Sequence, residues 1–328
     1  MGPESAKKTI ALRADMDALP IEELTGLPFA SEVPGRMHAC GHDSHTAVLL
    51  GIMKVLKSME DKLTCRVKFI FQPAEEGYPS GAETVVKNGF MDDVDEILAI
   101  HIQPDLSTGK IAINKTCMDA SCHSFTAKVY GKKAHVSSPQ SGVDAIAIAN
   151  RFYMSLQEMR AREINPFEPL IINVGAMNGG TAPNIICDYV EMAVTVRTHN
   201  DAVDRYVARR VEELAEAASM GQTEGRVEIV WEGWTPSVHN DPEIADRLIN
   251  VSSRLIGAEN VCEKELQMSS EDFSFYLQGK KGARFGAGTL APGKEPVALH
   301  NGRLDLDEDY MPVAAKILIA YVFENMEK

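Results

Sequence analysis

The sequence predicts an α/β protein: a mostly parallel-sheet domain interrupted by an inserted α+β domain of ferredoxin-like βαββαβ order. Strand-like and helix-like segments alternate through the first third of the chain, the pattern of a parallel sheet covered by helices. The middle third changes to strand, helix, two strands, helix, strand, which is the split βαβ arrangement. Helix and strand signals then return, so the two ends of the chain belong together. The chain has 328 residues, more than one typical domain of roughly 100–200. The expected boundaries put 1–114 and 236–328 in one domain and 115–235 in the insertion.

Thr9 to Arg13 is a short β-type run ending in the acidic turn Asp15-Met16-Asp17. Ser44 to Met59 places Ala47, Val48, Leu50, Gly51, Val55, Leu56 and Met59 at helical spacing. Thr64 to Gln72 alternates, with Val67, Phe69 and Phe71 on one side and Arg66 and Lys68 on the other, and Pro73 closes it. Glu96 to Ile100 reads as a short buried strand with His101 just beyond it. In the insertion, Ser121 to Tyr130 is a strand and Val143 to Ala161 an amphipathic helix. Leu170 to Met177 and Ile185 to Arg197 are strands joined by the turn Asn178-Gly179-Gly180. Asp201 caps a helix reaching Met220, and Val227 to Trp231 is the last strand. A helix at Asp241 to Leu255, a small strand near Ala283 to Gly286 and a helix from about Pro312 close the chain.

Composition limits the function classes. Apolar residues are 45% and charged residues 24%, ordinary for a folded globular protein. Lys plus Arg is 33 against 47 Asp plus Glu, a net charge of −14. Such a chain is a poor candidate for holding nucleic acid or an anionic membrane through bulk charge. No apolar run approaches the 18 or so residues of a membrane span. Met1 to Lys8 is polar, unlike a secretory signal. The six cysteines are irregularly spaced, as expected of reduced thiols in a cytoplasmic protein.

The chemistry is concentrated in a few segments. His38-Ala39-Cys40-Gly41-His42-Asp43-Ser44-His45 carries three of the nine histidines beside a cysteine, just before a helix. Thiolate and imidazole are the donors that divalent transition metals prefer. Gln72-Pro73-Ala74-Glu75-Glu76-Gly77 directly follows a strand. One glutamate there can ligate a metal while its neighbour serves as base. His101, Asp15-Met16-Asp17 and His300 also sit near strand ends or far along the chain, and in open α/β sheets ligands collect beyond the carboxyl ends of the strands.

Leu12-Arg13-Ala14-Asp15-Met16-Asp17-Ala18-Leu19-Pro20, Met37 to Thr46, Phe71 to Glu76 and Ser270-Glu271-Asp272-Phe273 together resemble one family. It is the amidohydrolase branch of the metallo-aminoacylase and carboxypeptidase superfamily, with hippurate hydrolases, N-acyl-amino-acid amidohydrolases and auxin-conjugate hydrolases. The resemblance runs in order over nearly the whole chain. It implies two divalent metal ions (Zn, Mn or Co) held by Cys40, His42, Glu76, His101 and His300. It implies Glu75 as general acid/base for a metal-activated water and Asp17 as the carboxylate that orients a ligand. It implies an N-acyl amino acid as small-molecule substrate. In the insertion it points to His135 as a group reaching the substrate carbonyl, often across a dimer interface. Arg197 is a candidate to grip a substrate carboxylate, and Asn184 one for a polar contact. Open edges of the inserted sheet favour a homodimer through that domain. Two departures stand out: Lys133-Ala134 where many relatives carry Gly-Gly, and a start almost on the first strand where relatives have a further helix and strand. The competing readings are a metallo-dipeptidase or carboxypeptidase, and a non-catalytic metal- or peptide-binding protein.

Overall fold

A computed structural model describes residues 1–326. In chain order the elements begin with β1 (Thr9–Asp15), α1 (His42–Ser58), β2 (Arg66–Gln72), α2 (Gly81–Lys87), β3 (Glu96–Ser107) and β4 (Ile111–Ile113). Next come β5 (Cys117–Asp119), β6 (Cys122–Tyr130), β7 (Ala134–His135), α3 (Ala145–Arg162), β8 (Leu170–Gly179), β9 (Ile185–Ile186), β10 (Tyr189–Thr198), α4 (Asp201–Ala218) and β11 (Arg226–Thr235). β12 (Val238–His239), α5 (Pro242–Ile256), β13 (Val261–Glu263), α6 (Ser274–Leu277), β14 (Lys281–Leu290) and α7 (Tyr310–Asn325) follow. The chain divides into two compact units. One holds 1–118, 238–266 and the chain from Glu271 onward; the other holds 119–237 and 267–270.

The first unit is built on a six-stranded sheet of order β13-β4-β14-β3-β1-β2. β1 runs parallel to β2 and β3, and β14 parallel to β3; β14 and β4 are antiparallel. All seven residues of β1, Thr-Ile-Ala-Leu-Arg-Ala-Asp, are buried. That is why β1 reads as a continuous run rather than an alternation: a central parallel strand is covered on both faces. One face packs Leu49, Ile52 and Leu56 of α1 with Leu248 of α5 and Ile317 and Tyr321 of α7. The other packs Ala82 of α2 with Phe275 and Tyr276 of α6. β1 and β2 end together, Asp15 opposite Gln72, whereas β3 runs on past its last β1 pairing at Arg13–Ala99. This staggered carboxyl edge is where the candidate site lies.

Several expectations are corrected here. Asp15 is the last residue of β1, not part of a turn. His101 lies within β3, which extends to Ser107 because β14 pairs along it to Leu290. The polar residues after Ile100 hid that continuation. β14 is a ten-residue strand between β3 and β4 rather than a small one. Its glycines masked it, yet a Cβ at Gly282 would lie 2.5 Å from the Ile97 carbonyl oxygen, so close strand packing requires one there. The short strands β4 and β13 and the helix α2 gave no periodic signal.

The second unit has an antiparallel sheet of order β11-β6-β10-β8. Numbered by their order in the βαββαβ run, these strands read 4-1-3-2, the ferredoxin-like arrangement. Phe125, Val129, Phe152, Leu156, Met192, Val194, Val207 and Val211 form its core between sheet and helices. Asn200, not Asp201, caps α4: its side chain accepts from the N–H groups of Ala202 and Val203. Asn178 and Gly179 belong to β8 rather than to the turn after it. Among the described residues no helix is long and apolar enough to cross a membrane.

Candidate metal centre

Four chain segments converge at the carboxyl edge of the first unit's sheet. The first is the residues just before and at the start of α1. Gly41 has φ +77, and a Cβ there would lie 2.5 Å from Ile102 Cδ1. Glycine therefore lets the chain turn sharply between Cys40 and His42. The second is the loop after β2, where Ala74 has φ 55. The third is β3 at His101. The fourth is the loop carrying His300, which has φ 60 and whose N–H donates to the Ala39 carbonyl at 2.8 Å. Ala74 and His300 are the two non-glycine residues with positive φ among the described residues. Each lies at or beside a candidate functional residue, where backbone strain is commonly retained.

Donor atoms of Cys40, His42 and His101 lie within 4.8 Å of one another, and so do those of Cys40, Glu76 and His300. Cys40 is common to both triads. Its Sγ is 3.5 Å from His101 Nε2, and His300 Nε2 is 2.9 Å from Glu76 Oε1. Asp17 ties two of these segments together. Its Oδ1 lies 3.1 Å from His42 Nδ1, and its Oδ2 accepts the Glu76 backbone N–H at 2.9 Å. Glu75 stands beside the triads, and its Oε1 accepts the backbone N–H of Asp272 at 3.4 Å.

Two buried atoms argue that these residues fit metal ions. His42 is fully buried, yet its Nε2 has no hydrogen-bond partner among the described residues. Its nearest carboxylate oxygen, on Asp15, is 3.8 Å away. Glu76 Oε1 is also buried without a hydrogen bond, its contact with His300 being an ion-pair approach lacking that geometry. Native proteins seldom leave such atoms unpaired, and a bound ion would satisfy both. The donor set of one thiol, three imidazoles and a carboxylate suits zinc-like divalent ions.

The electrostatics point the same way. Burial alone would lower the His42 pKa, but its hydrogen bond to Asp17 and the charges of Asp15 and Asp17 raise it to about 8. Burial, with the nearby carboxylates of Glu76 and Glu75, pushes the Cys40 thiol up. Burial and the neighbouring carboxylates of Glu271 and Asp272 raise Glu75, against the opposing pull of Arg13. Without metal this pocket therefore favours bound protons on an imidazole, a thiol and a carboxyl group. Divalent charge supplied at the same atoms would displace protons from the imidazole and thiol.

The sequence pattern of the family described as peptidase family M20/M25/M40 matches residues 11–324. The chain belongs to that family. This M20 member is 37% identical over 279 residues to N-acetyl-L-cysteine deacetylase of Bacillus subtilis (strain 168), covering 84% of this chain and 65% of that protein. It is 35% identical over 312 residues to IAA-amino acid hydrolase ILR1-like 4 of Arabidopsis thaliana, covering 94% of this chain and 71% of that protein. It superposes on the crystal structure of the Bacillus subtilis YXEP protein, a dinuclear metal binding peptidase from the M20 family, with a TM-score of 0.83 at 32% identity. That match covers 99% of this chain and 83% of the other.

The three remaining candidates of the M20 chain lie in the second unit. His135 is exposed in β7, opposite Ile185 of β9, and its Nδ1 is 2.7 Å from Ser137 Oγ. The Asn184 carbonyl accepts the Val136 N–H at 3.1 Å, so His135 and Asn184 are neighbours. Arg197 is not with them. It lies near the far end of β10, whose path from Tyr189 to Arg197 spans roughly 27 Å, and its Nη1 donates to the Met268 carbonyl at 2.7 Å.

Sequence reasoning counted Asp15 and His45 only as members of candidate segments and assigned no role of their own to Arg13, Asp15, His45, Glu271 or Asp272, all of them buried in the first unit. A signal existed for Arg13: a charged residue inside an otherwise apolar central strand must have buried partners. These are Asp15 Oδ2 at 2.7 Å, Asp272 Oδ1 at 2.8 Å, Glu271 Oε1 at 3.2 Å and Gln72 Oε1 at 2.9 Å.

Proposed function

We propose that this M20 member is a metal-dependent amidohydrolase that cleaves the amide of N-acyl amino acids, with Glu75 as general acid/base. The observation that carries this reading is a pair of donor triads sharing Cys40, with a backbone-anchored glutamate beside them. The names of the deacetylase and of the amino-acid conjugate hydrolase among its relatives support the substrate class. Divalent ions in such a site act as Lewis acids on a carbonyl and make water a competent nucleophile near neutral pH.

The chain's own groups do the rest. Asp17 holds His42 and the Glu76 backbone, which sets the separation of ligands from the start of α1 and from the loop after β2. Glu75, with Oε1 taken by the Asp272 N–H, has Oε2 left to accept a proton from the attacking water and deliver one to the leaving amine. His135 is proposed to contact the substrate carbonyl, Asn184 to make a polar contact with the substrate, and Arg197 to grip its carboxylate. A homodimer through the second unit belongs to the same proposal; light scattering is expected to give twice the chain mass, and a monomer at high concentration would remove it.

The substrate test is a panel of N-acetyl and N-benzoyl amino acids and unblocked dipeptides, run with Zn²⁺, Mn²⁺ or Co²⁺. N-acyl amino acids are expected to give kcat/KM at least about tenfold above dipeptides, a transition-state difference of about 1.4 kcal/mol. Dipeptides matching or exceeding them would replace this reading with a dipeptidase.

A further inference from the structure

Two aspartate–histidine pairs stand side by side in the first unit, and only one of them ends in an open nitrogen. His42 and His45 are three residues apart on α1 and so share a helix face, while Asp15 closes β1 and Asp17 follows two residues later. Asp17 faces His42, and Asp15 Oδ1 lies 2.6 Å from His45 Nδ1. His42 Nε2 has no hydrogen-bond partner among the described residues. His45 Nε2 instead accepts the backbone N–H of Ile102 at 3.0 Å. Asp15, His42 and His45 also lie close enough to suggest a metal triad, but both nitrogens of His45 are already engaged, so that grouping is not one.

The partners fix the tautomers. A backbone N–H can only donate, so His45 Nε2 is unprotonated and the ring proton sits on Nδ1, toward Asp15. His101 Nδ1 lies 2.8 Å from the Ile102 carbonyl, which can only accept, so His101 also carries its proton on Nδ1. That leaves the lone pair of His101 Nε2 on the side of Cys40 Sγ, 3.5 Å away. The residue gripped by His45 is therefore the residue that sets the ring of His101. The grip is needed because β3 has outrun β1: their last pairing is Arg13 with Ala99, so Ile102 lies beyond β1 and takes its partner from a helix.

We propose that His45 is a positioning residue, in which the Asp15–His45 pair clamps the Ile102 N–H and thereby fixes the tautomer and aim of His101 toward the metal centre. This deepens the reading of His101 as a ligand and rests on it. His45 touches neither ion nor substrate.

The test uses the full chain without turnover as its readout. In metal-free wild-type protein, ¹⁵N NMR of the imidazoles is expected to show His45 and His101 both neutral and protonated on Nδ1. Co²⁺ alone is then titrated into wild type, H45L and H45Q, followed by its visible absorption and by calorimetry. H45L is expected to weaken one of two Co²⁺ sites by about 10–100-fold, the usual effect of losing a group that orients a ligand, and to mix the His101 tautomers. The H45Q amide oxygen reaches the place of Nε2 and accepts the Ile102 N–H, so it is expected to restore the single His101 tautomer and most of the affinity. Protonation of wild-type His45 on Nε2 would overturn the proposal, as would an H45L protein with wild-type affinity and spectrum. If H45L fails to fold, mixed His101 tautomers in H45Q would overturn it and a single tautomer would support it. Failure of the substrate panel would refute the hydrolase reading while leaving these measurements standing.

Discussion

Glu75→Gln is expected to lower kcat by about 10²–10⁴-fold, the usual share of general acid–base catalysis, and to leave metal content unchanged. The substitution keeps the size of the side chain and an oxygen able to accept the Asp272 N–H, so the loop after β2 has no reason to move. What it removes is proton exchange, about 3–5 kcal/mol of transition-state stabilisation at that rate loss. Burial and the charges of Glu271 and Asp272 hold the Glu75 pKa above the ordinary carboxylate value, with Arg13 limiting the rise. Cys40→Ala is expected to give the opposite pattern, since it deletes the donor common to both triads: metal content should fall first, and turnover with it. Steady-state kinetics and elemental analysis of the two proteins separate the roles. Retention of more than a tenth of wild-type kcat by Glu75→Gln would remove Glu75 from the chemistry.

What the sequence made legible depended on distance along the chain. Cys40, His42 and His45 sit within six positions, and Glu75 and Glu76 are adjacent, so their density stands out in the bare order of residues. The ferredoxin-like order of the second unit was legible because strand and helix segments follow one another in that order, with β6 alternating clearly at Phe125, Ala127 and Val129. β14 was legible only in part, near Ala283 to Gly286, because its glycines carry no side-chain pattern even where close packing demands them. The partnership of Arg13 with Asp272 spans 259 positions, and nothing local marks it. Nor could spacing distinguish the two histidines of α1. In the structure the occupied Nε2 of His45 and the open Nε2 of His42 tell them apart.

Arg13→Met is expected to destabilise the protein by about 3–5 kcal/mol, the range for removing one partner of a buried ion pair. Met fills much of the same channel, so the loss reflects charge more than volume. Arg13 is 2% exposed and pairs with three carboxylates from two places in the first unit's sequence: Asp15 on its own strand, and the adjacent Glu271 and Asp272. Without it these carboxylates keep their burial and lose their counter-charge. Asp272 retains Ser80 Oγ, Gln72 Nε2 and the Ala82 N–H as donors, which is too little to offset a missing guanidinium. Thermal unfolding of metal-free protein is expected to drop by roughly 10 °C. The deficit also depends on pH with a definite sign. Burial and Glu271 already raise Asp272 to about 6 against the pull of Arg13, and removing Arg13 raises it further. A carboxyl group whose folded pKa lies above its unfolded one stabilises the fold when protonated, and that contribution is lost as pH rises through the folded value. The variant should therefore lie farthest below wild type near pH 8 and recover part of the difference toward pH 5. Adding Asp272→Asn removes one stranded charge, so the double variant should be more stable than the two single losses summed. A deficit that is flat with pH and strictly additive losses would mean that Arg13 contributes packing rather than charge.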